Sequence, residues 1–222
     1  MNTATIAIKS SLGRKYLMAA SGLILYGFVI VHMLGNLQVF LGPEPLNAYA
    51  AFLKSKPGLL WGFRFVLLLM AVVHIWTSIQ LSLENRAARR DRYGKYNPTV
   101  ATYASRSMLL SGLMLFAFIA YHLMHFTIGV TNPEFLQLRD ELGRHDVYRM
   151  TIVGFSRPAV SAFYIAAMCL LCLHLSHGFG SLFQSLGLKN QMRVARVSQV
   201  LAIIILLGNI SMPLAVLAGW VR

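Results

Sequence analysis

The sequence predicts an all-α integral membrane protein with five transmembrane helices. Three observations carry that prediction. The 222 residues are 57% hydrophobic and only 12% charged, against about a quarter charged in soluble domains, and the mean hydropathy is +0.61. Five apolar runs reach the ~20 residues that a bilayer span requires: residues 17–41, 59–83, 107–130, 158–183 and 197–221. The basic residues, finally, fall unevenly between the segments that join these runs.

Each run is expected to be helical, because a backbone in lipid has to satisfy its own hydrogen bonds. Ahead of the first, "MNTATIAIKSSLGRKYLMAASG" lacks the basic region, short apolar core and small-residue cleavage site of a signal peptide. The first span is therefore expected to stay in the membrane as an anchor. Next, "GPEPLNAYAAFLKSKPG" predicts a short helix over residues 45–54, opened by proline and stopped by Pro57-Gly58. The second span leads into "ENRAARRDRYGKYNP", the densest basic patch. The third precedes the longest connection, "TNPEFLQLRDELGRHDVYRMTIVGFSRP". There Asn132 as a cap, Pro133 in the first turn and Gly143 after "RDEL" predict a surface helix. The fourth span carries Cys169 and Cys172, three apart on one face; without a second cysteine pair they read as small apolar packing residues. No low-complexity stretch or linker divides the chain, so residues 1–222 read as a single transmembrane domain.

The net charge of +13 invites a nucleic-acid reading, and its distribution argues against one. With the N-terminus inside, the inner segments hold Lys9, Arg14, Lys15, Arg86, Arg89, Arg90, Arg92, Lys95, Arg106, Lys189, Arg193 and Arg196, twelve of the twenty basic residues. Such asymmetry is the positive-inside rule. It predicts a multi-pass protein of a bacterial inner membrane, N-terminus cytoplasmic and C-terminus periplasmic.

Six of the seven histidines fall inside spans: His32, His74, His122, His125, His174 and His177. Ionisable residues at membrane depth are costly and face the bundle interior, which makes each a functional candidate. His32, His74 and His122 each follow the start of their span by 15 residues, and His174 follows by 16. At 1.5 Å per residue each lies roughly 22 Å into a core about 30 Å thick. Spans one and three run outward, so His32 and His122 belong to the outer half. Spans two and four run inward, which assigns His74 and His174 to the inner half. The two pairs are expected on the order of 14 Å apart along the membrane normal. A repeat reinforces the first pair: "SGLILYGFVIVHML" from Ser21 returns as "SGLMLFAFIAYHLM" from Ser111, with histidine eleven residues after each serine. That repeat favours His122 over His125, a neighbour three residues on. His174 is favoured over His177 on depth alone.

Zinc asks for four ligands, and neither pair has a third. A di-iron carboxylate site needs glutamates beside the histidines, and the four histidine-bearing spans have no interior Asp or Glu. Haem asks for two axial imidazoles and an apolar slot, with Gly22, Gly27, Gly112, Gly178 and Gly180 letting helices stand back. The residues thus point to two bis-histidine b-type haems stacked across a bundle of the first four helices. Arg14 and Arg106 on the inner side, and Arg64 and Arg157 on the outer, are candidate propionate partners.

The residues "VHMLGNLQVFLGPEPLNAYAAFL" around His32, "VHIW" at His74, "YHLMHF" at His122 and "LHLSHGFGSLFQ" at His174 carry a family resemblance. In order and spacing the chain resembles the di-haem cytochrome b membrane-anchor subunit of succinate dehydrogenase and fumarate reductase, the succinate:quinone oxidoreductases, of the single-anchor kind. The resemblance implies that His32 and His122 ligate the outer haem and that His74 and His174 ligate the inner one. It selects His174 over His177, because the H-x-S-x-G pattern begins at the ligand. It implies a flavoprotein partner with covalent FAD that holds the succinate/fumarate site, an iron–sulfur partner, and electron delivery to a quinone, commonly menaquinone. Relatives carrying a glutamate within the helices are proposed to move protons across; here Cys172 stands two residues before His174, which favours succinate oxidation over fumarate reduction. Arg86, Arg89, Arg90 and Arg92 are candidates for docking the iron–sulfur subunit.

A quinone needs a proton donor or acceptor near its ring carbonyl. Glu44, Asn36 and Gln38 are the candidates near the outer haem, with Ser21, Arg14 and Arg106 at an alternative inner site. A competing class is a transporter using histidines as a proton relay, which the absence of intramembrane acids disfavours. Lipid surrounds the chain in every reading, and the complex is open to higher oligomers.

Overall fold

The computed structural model describes residues 10–88, 107–185 and 191–222. Within these, Ser11–Asn36 forms α1 and continues as a 3-10 turn, Leu37–Leu41; Pro43–Lys54 forms α2 and Pro57–Ala87 forms α3. Met108–His122 forms α4, extended by a π-helical turn, Leu123–Ile128; Val147–Phe155 is α5, Pro158–Ser185 is α6 and Gln191–Leu217 is α7. Five helical segments are long and apolar enough to cross a membrane, and no strand occurs among the described residues beyond one isolated bridge. Lys9, Arg89, Arg90, Arg92, Lys95, Arg106 and Lys189 lie outside the described residues.

Helix ends depart from the apolar runs in ways their chemistry explains. α1 begins six residues ahead of the first run, because the Ser10 hydroxyl accepts from the Gly13 amide at 3.0 Å and caps it. α2 starts at Pro43 rather than residue 45, directly after Gly42, whose φ of +101° makes a corner that favours glycine. The third run stays helical to residue 128 but widens into the π turn and stops at Gly129, φ +75°.

The surface helix expected after Asn132 is a correction. Only the 3-10 turn Pro133–Gln137 forms, and Asn132 donates instead to the Glu134 carboxylate at 2.7 Å. "RDELGRH" then closes as a hairpin, with Arg139 bridged to His145. The cause is Asp140, whose carboxylate accepts from the Leu142 and Arg144 amides at 3.1 and 2.8 Å and from the Arg144 guanidinium at 2.7 Å. A short acid that collects local amides competes with helix. The helix of this connection is instead α5, capped by Asp146, which accepts from the Arg149 amide at 2.9 Å.

α1, α3, α4 and α6 pack in a ring, each against the next, and α7 lies along α6 and α1. The diagonal pairs α1/α4 and α3/α6 are not among the close helix neighbours of the described residues. One end of the ring is covered by α2 and α5. Asn47, fully buried, joins them: its amide nitrogen donates to Asp146 at 3.0 Å and its oxygen accepts from the Tyr148 amide at 3.0 Å. Beneath this cap Val39, Leu46, Phe118, Phe155, Tyr164 and Met212 form the main core. Elsewhere the helices turn apolar side chains outward, as α3 does with Leu59, Trp61, Phe63, Phe65 and Leu68. Lipid tails are as apolar as leucine, so such faces carry no penalty in a bilayer.

Candidate functional site

The ring's diagonals carry the histidines. His32 of α1 and His122 of α4 face each other across one diagonal, ring centroids 5.8 Å apart and planes at 87°. His74 of α3 and His174 of α6 face each other across the other, centroids 6.3 Å apart and planes at 65°. A metal held between two imidazoles at about 2.0 Å from each nitrogen puts their centroids ~6 Å apart. Both pairs have that spacing. Among the described residues no group of three or more His, Cys, Asp or Glu gathers as a metal site.

The two layers are tied to one another through α1 and α4. Ser21 Oγ lies 3.4 Å from His74 Nδ1, and Ser111 Oγ lies 3.2 Å from His174 Nδ1. Both serines are fully buried. The next residue in each case is a glycine against the same ring: a Cβ on Gly22 would sit 3.1 Å from His74 Cε1, and one on Gly112 3.5 Å from His174 Cε1. Eleven residues separate Ser21 from His32 and Ser111 from His122, which is about 16 Å of rise with a return to nearly the same helix face. One stripe on each helix thus touches the second pair with Ser-Gly and supplies the first pair with histidine. The remaining glycines differ: a Cβ on Gly180 would meet Ser198 of α7 at 3.6 Å, and Gly27 has open space around it.

The pair near the cap has its own support. The Tyr164 hydroxyl of α6 lies 3.3 Å from His122 Nδ1 and 3.0 Å from His125 Nδ1. His125, 1% exposed, is packed among Tyr121, Phe126, Phe135 and Tyr164. The π turn that carries it also brings Phe126 against Gly154 of α5, where a Cβ would fall 2.7 Å from the ring. Tyr164 escaped the sequence reading, because nothing local marks it 42 residues beyond His122 on another helix. At the far layer His177 is engaged by Ser181 one turn away, 3.1 Å from Nε2.

The arginines divide. Arg14 pairs with Glu84 of α3, and its buried Nε has no partner among the described residues. Arg157 is exposed, on the cap side. Arg64 stacks over Trp61 at 4.9 Å, both exposed on α3. Of the quinone candidates, Asn36 donates to the His32 carbonyl at 2.8 Å. Gln38 lies in the 3-10 turn. Glu44 is bound by Arg144 at 2.5 and 3.1 Å.

The family model of the succinate dehydrogenase/fumarate reductase transmembrane subunit matches residues 82–210, more than half of the chain. The chain belongs to this family. Its members are haem-binding, electron-transporting membrane subunits of an oxidoreductase complex that includes soluble subunits. The matched segment contains His122 and His174, while His32 and His74 precede it. Neither the curated proteins nor the solved structures give a match. For a haem-binding transmembrane subunit, the donor set fits: two diagonal imidazole pairs at metal-bridging spacing, a glycine beside each far-layer ring, and a buried Arg14 Nε with no partner among the described residues.

Proposed function

We propose that this chain is the membrane anchor and cytochrome b subunit of a succinate:quinone oxidoreductase holding two bis-histidine b haems, one per diagonal. The observation that carries the reading is the pair of facing imidazoles on each diagonal, at 5.8 and 6.3 Å. When bound, the two haems supply one-electron carriers between an iron–sulfur subunit and a quinone, commonly menaquinone in this class.

The protein's own part is positional. His32 and His122 hold the haem near the cap, and His74 and His174 hold the other. With His122 ligating through Nε2, its Nδ1–H donates to the Tyr164 oxygen, and Tyr164 in turn donates to His125 Nδ1. This chain orients the ligand through a phenol whose proton is already committed. Arg14, through its buried Nε, is the propionate partner in the layer far from the cap; Arg157 is the candidate near the cap, Arg106 lies outside the described residues, and Arg64 is occupied with Trp61. The exposed Arg86, Arg193 and Arg196 lie at the end away from the cap, the face we assign to the cytoplasm and to the iron–sulfur and flavin subunits. The succinate/fumarate site belongs to the flavin subunit. A quinone is placed near the cap beside Asn36 and Gln38, with Glu44 serving the cap through Arg144. Residues 1–222 act as one domain in a bacterial inner membrane. The histidine-bearing helices have no acid between the two layers, which supports succinate oxidation without a transmembrane proton path.

The test is a dithionite-reduced minus oxidised spectrum of the intact complex. Two b-type components are expected. His32→Ala and His122→Ala should abolish the same component, and His74→Ala and His174→Ala the other. Absence of reduced b-type bands from the complex would overturn the haem reading, and loss of different components from His32→Ala and His122→Ala would overturn the pairing.

A further inference from the structure

We infer that Ser21 and Ser111 are positioning residues for the haem ligated by His74 and His174, holding the Nδ1 side of both imidazoles so that Nε2 faces the iron. The inference rests on the haem reading above and goes beyond it, because both serines sit on helices that ligate the other haem.

At His74 the carbonyl opposite Nδ1 fixes the direction of the contact. His74 Nδ1 lies 3.2 Å from the Met18 carbonyl oxygen, which only accepts, so Nδ1 carries the hydrogen. The Ser21 hydroxyl is 2.7 Å from the Leu17 carbonyl and 3.2 Å from that of Met18, and its proton goes there. What Ser21 presents to His74 at 3.4 Å is therefore an oxygen lone pair, a second acceptor for the same N–H. At His174 the direction follows from the haem reading: with Nε2 toward the iron, Nδ1 carries the hydrogen, and Ser111, whose hydroxyl has the Met108 carbonyl as acceptor at 3.1 Å, offers its lone pair to Nδ1 at 3.2 Å. Each imidazole is thereby held as the Nδ1–H tautomer, with the lone pair on Nε2, as metal-bound histidines commonly are.

Two features make this a built device rather than incidental packing. It occurs twice, on opposite axial sides of one site, from the same Ser-Gly step in both repeats. In both, a glycine adjoins the ring, leaving room that His74 needs at Gly22, where a Cβ would sit 3.1 Å away, and an ordinary 3.5 Å contact at Gly112. The contacts are unequal in number: His74 has a carbonyl as well as a serine, whereas Ser111 is the one acceptor found for His174 Nδ1 among the described residues.

An acceptor on Nδ1–H raises the basicity of the ligating nitrogen and so favours ferric over ferrous iron. Removing it should raise the potential of that haem alone. A hydrogen bond of ordinary net strength corresponds to about a threefold to tenfold change in the reduced-to-oxidised ratio at fixed potential. In the intact complex, Ser111→Ala should shift the His74/His174 component toward reduction by about threefold or more. Ser21→Ala should shift the same component less, and Ser111→Thr, which keeps the hydroxyl, should restore the wild-type ratio. Redox titration of the b bands, with the low-spin ferric EPR signal of each haem, reads the outcome. If both serine variants leave that component unchanged, or move the His32/His122 component instead, the inference is overturned. Should Ser111→Ala fail to assemble, Ser21→Ala carries the same test from the opposite axial side. A wild-type complex with fewer than two b components would instead sink the haem reading itself.

Discussion

Gly22 and Gly112 occupy equivalent places in the repeat yet have different tolerances. A methyl on Gly22 would press on His74 Cε1 at 3.1 Å, closer than such contacts normally run, whereas at Gly112 the distance to His174 Cε1 is an ordinary 3.5 Å. Gly22→Ala should therefore displace the His74 ring and diminish or shift the His74/His174 b component, while Gly112→Ala should leave it nearly intact. Equal loss in both variants, read from the reduced minus oxidised spectrum, would contradict the geometry. The residue scale also shows why the second histidine of "HLMH" differs from the first. His122 faces His32, but the widened turn from Leu123 buries His125 in an aromatic cage with Tyr164. π turns of this kind concentrate at functional sites. Nothing in four letters distinguishes an α turn from a π turn, since the extra residue is accommodated by the surrounding Phe126, Phe135 and Gly154.

At the scale of elements, the cap is the part whose form was least legible. The tokens Asn132, Pro133 and Gly143 suggested one helix, and the chain built a 3-10 turn, a hairpin around Asp140 and then α5. Arg144 fastens this hairpin to α2 through Glu44, and to itself through Asp140. The hydrogen bond from Arg144 is the main cause that holds the Glu44 carboxyl below its ordinary value of 4.5. A carboxyl lowered on folding contributes stability in full above its unfolded value, and that contribution is lost as pH falls through the lower folded value. Glu44→Gln should lower the thermal midpoint of the purified complex slightly at pH 7, since the Glu44 side chain is 68% exposed. The gap from wild type should close only below pH 4.5. A gap that persisted unchanged at acid pH would show that the ion pair is not its source.

For the whole molecule, the arrangement that matters is the ring with loaded diagonals. Neighbours α1–α3, α3–α4, α4–α6 and α6–α1 supply the packing, while the diagonals keep space for facing imidazoles. Orientation in the membrane is testable at this scale. With Cys169 and Cys172 replaced by serine, a cysteine at Leu142, 70% exposed on the cap, should react with a membrane-impermeant maleimide in intact cells. A cysteine at the exposed Asn85, at the far end of α3, should react only after permeabilisation. The reverse pattern would invert the topology and move the soluble partners to the cap.

By itself the sequence determined the five spans, their alternation and the heights of four histidines. Those properties follow from hydropathy and from 1.5 Å of rise per residue, which are local and additive along the chain. The Ser-Gly-Leu repeat was legible too, but its meaning was not. An eleven-residue step says that serine and histidine share a face; it does not say that the serine meets a histidine of another helix, 53 or 63 residues away. That contact, the Tyr164 bridge and the pairing of Arg14 with Glu84 were decided by tertiary structure, because each depends on which helices stand side by side and which stand across the ring.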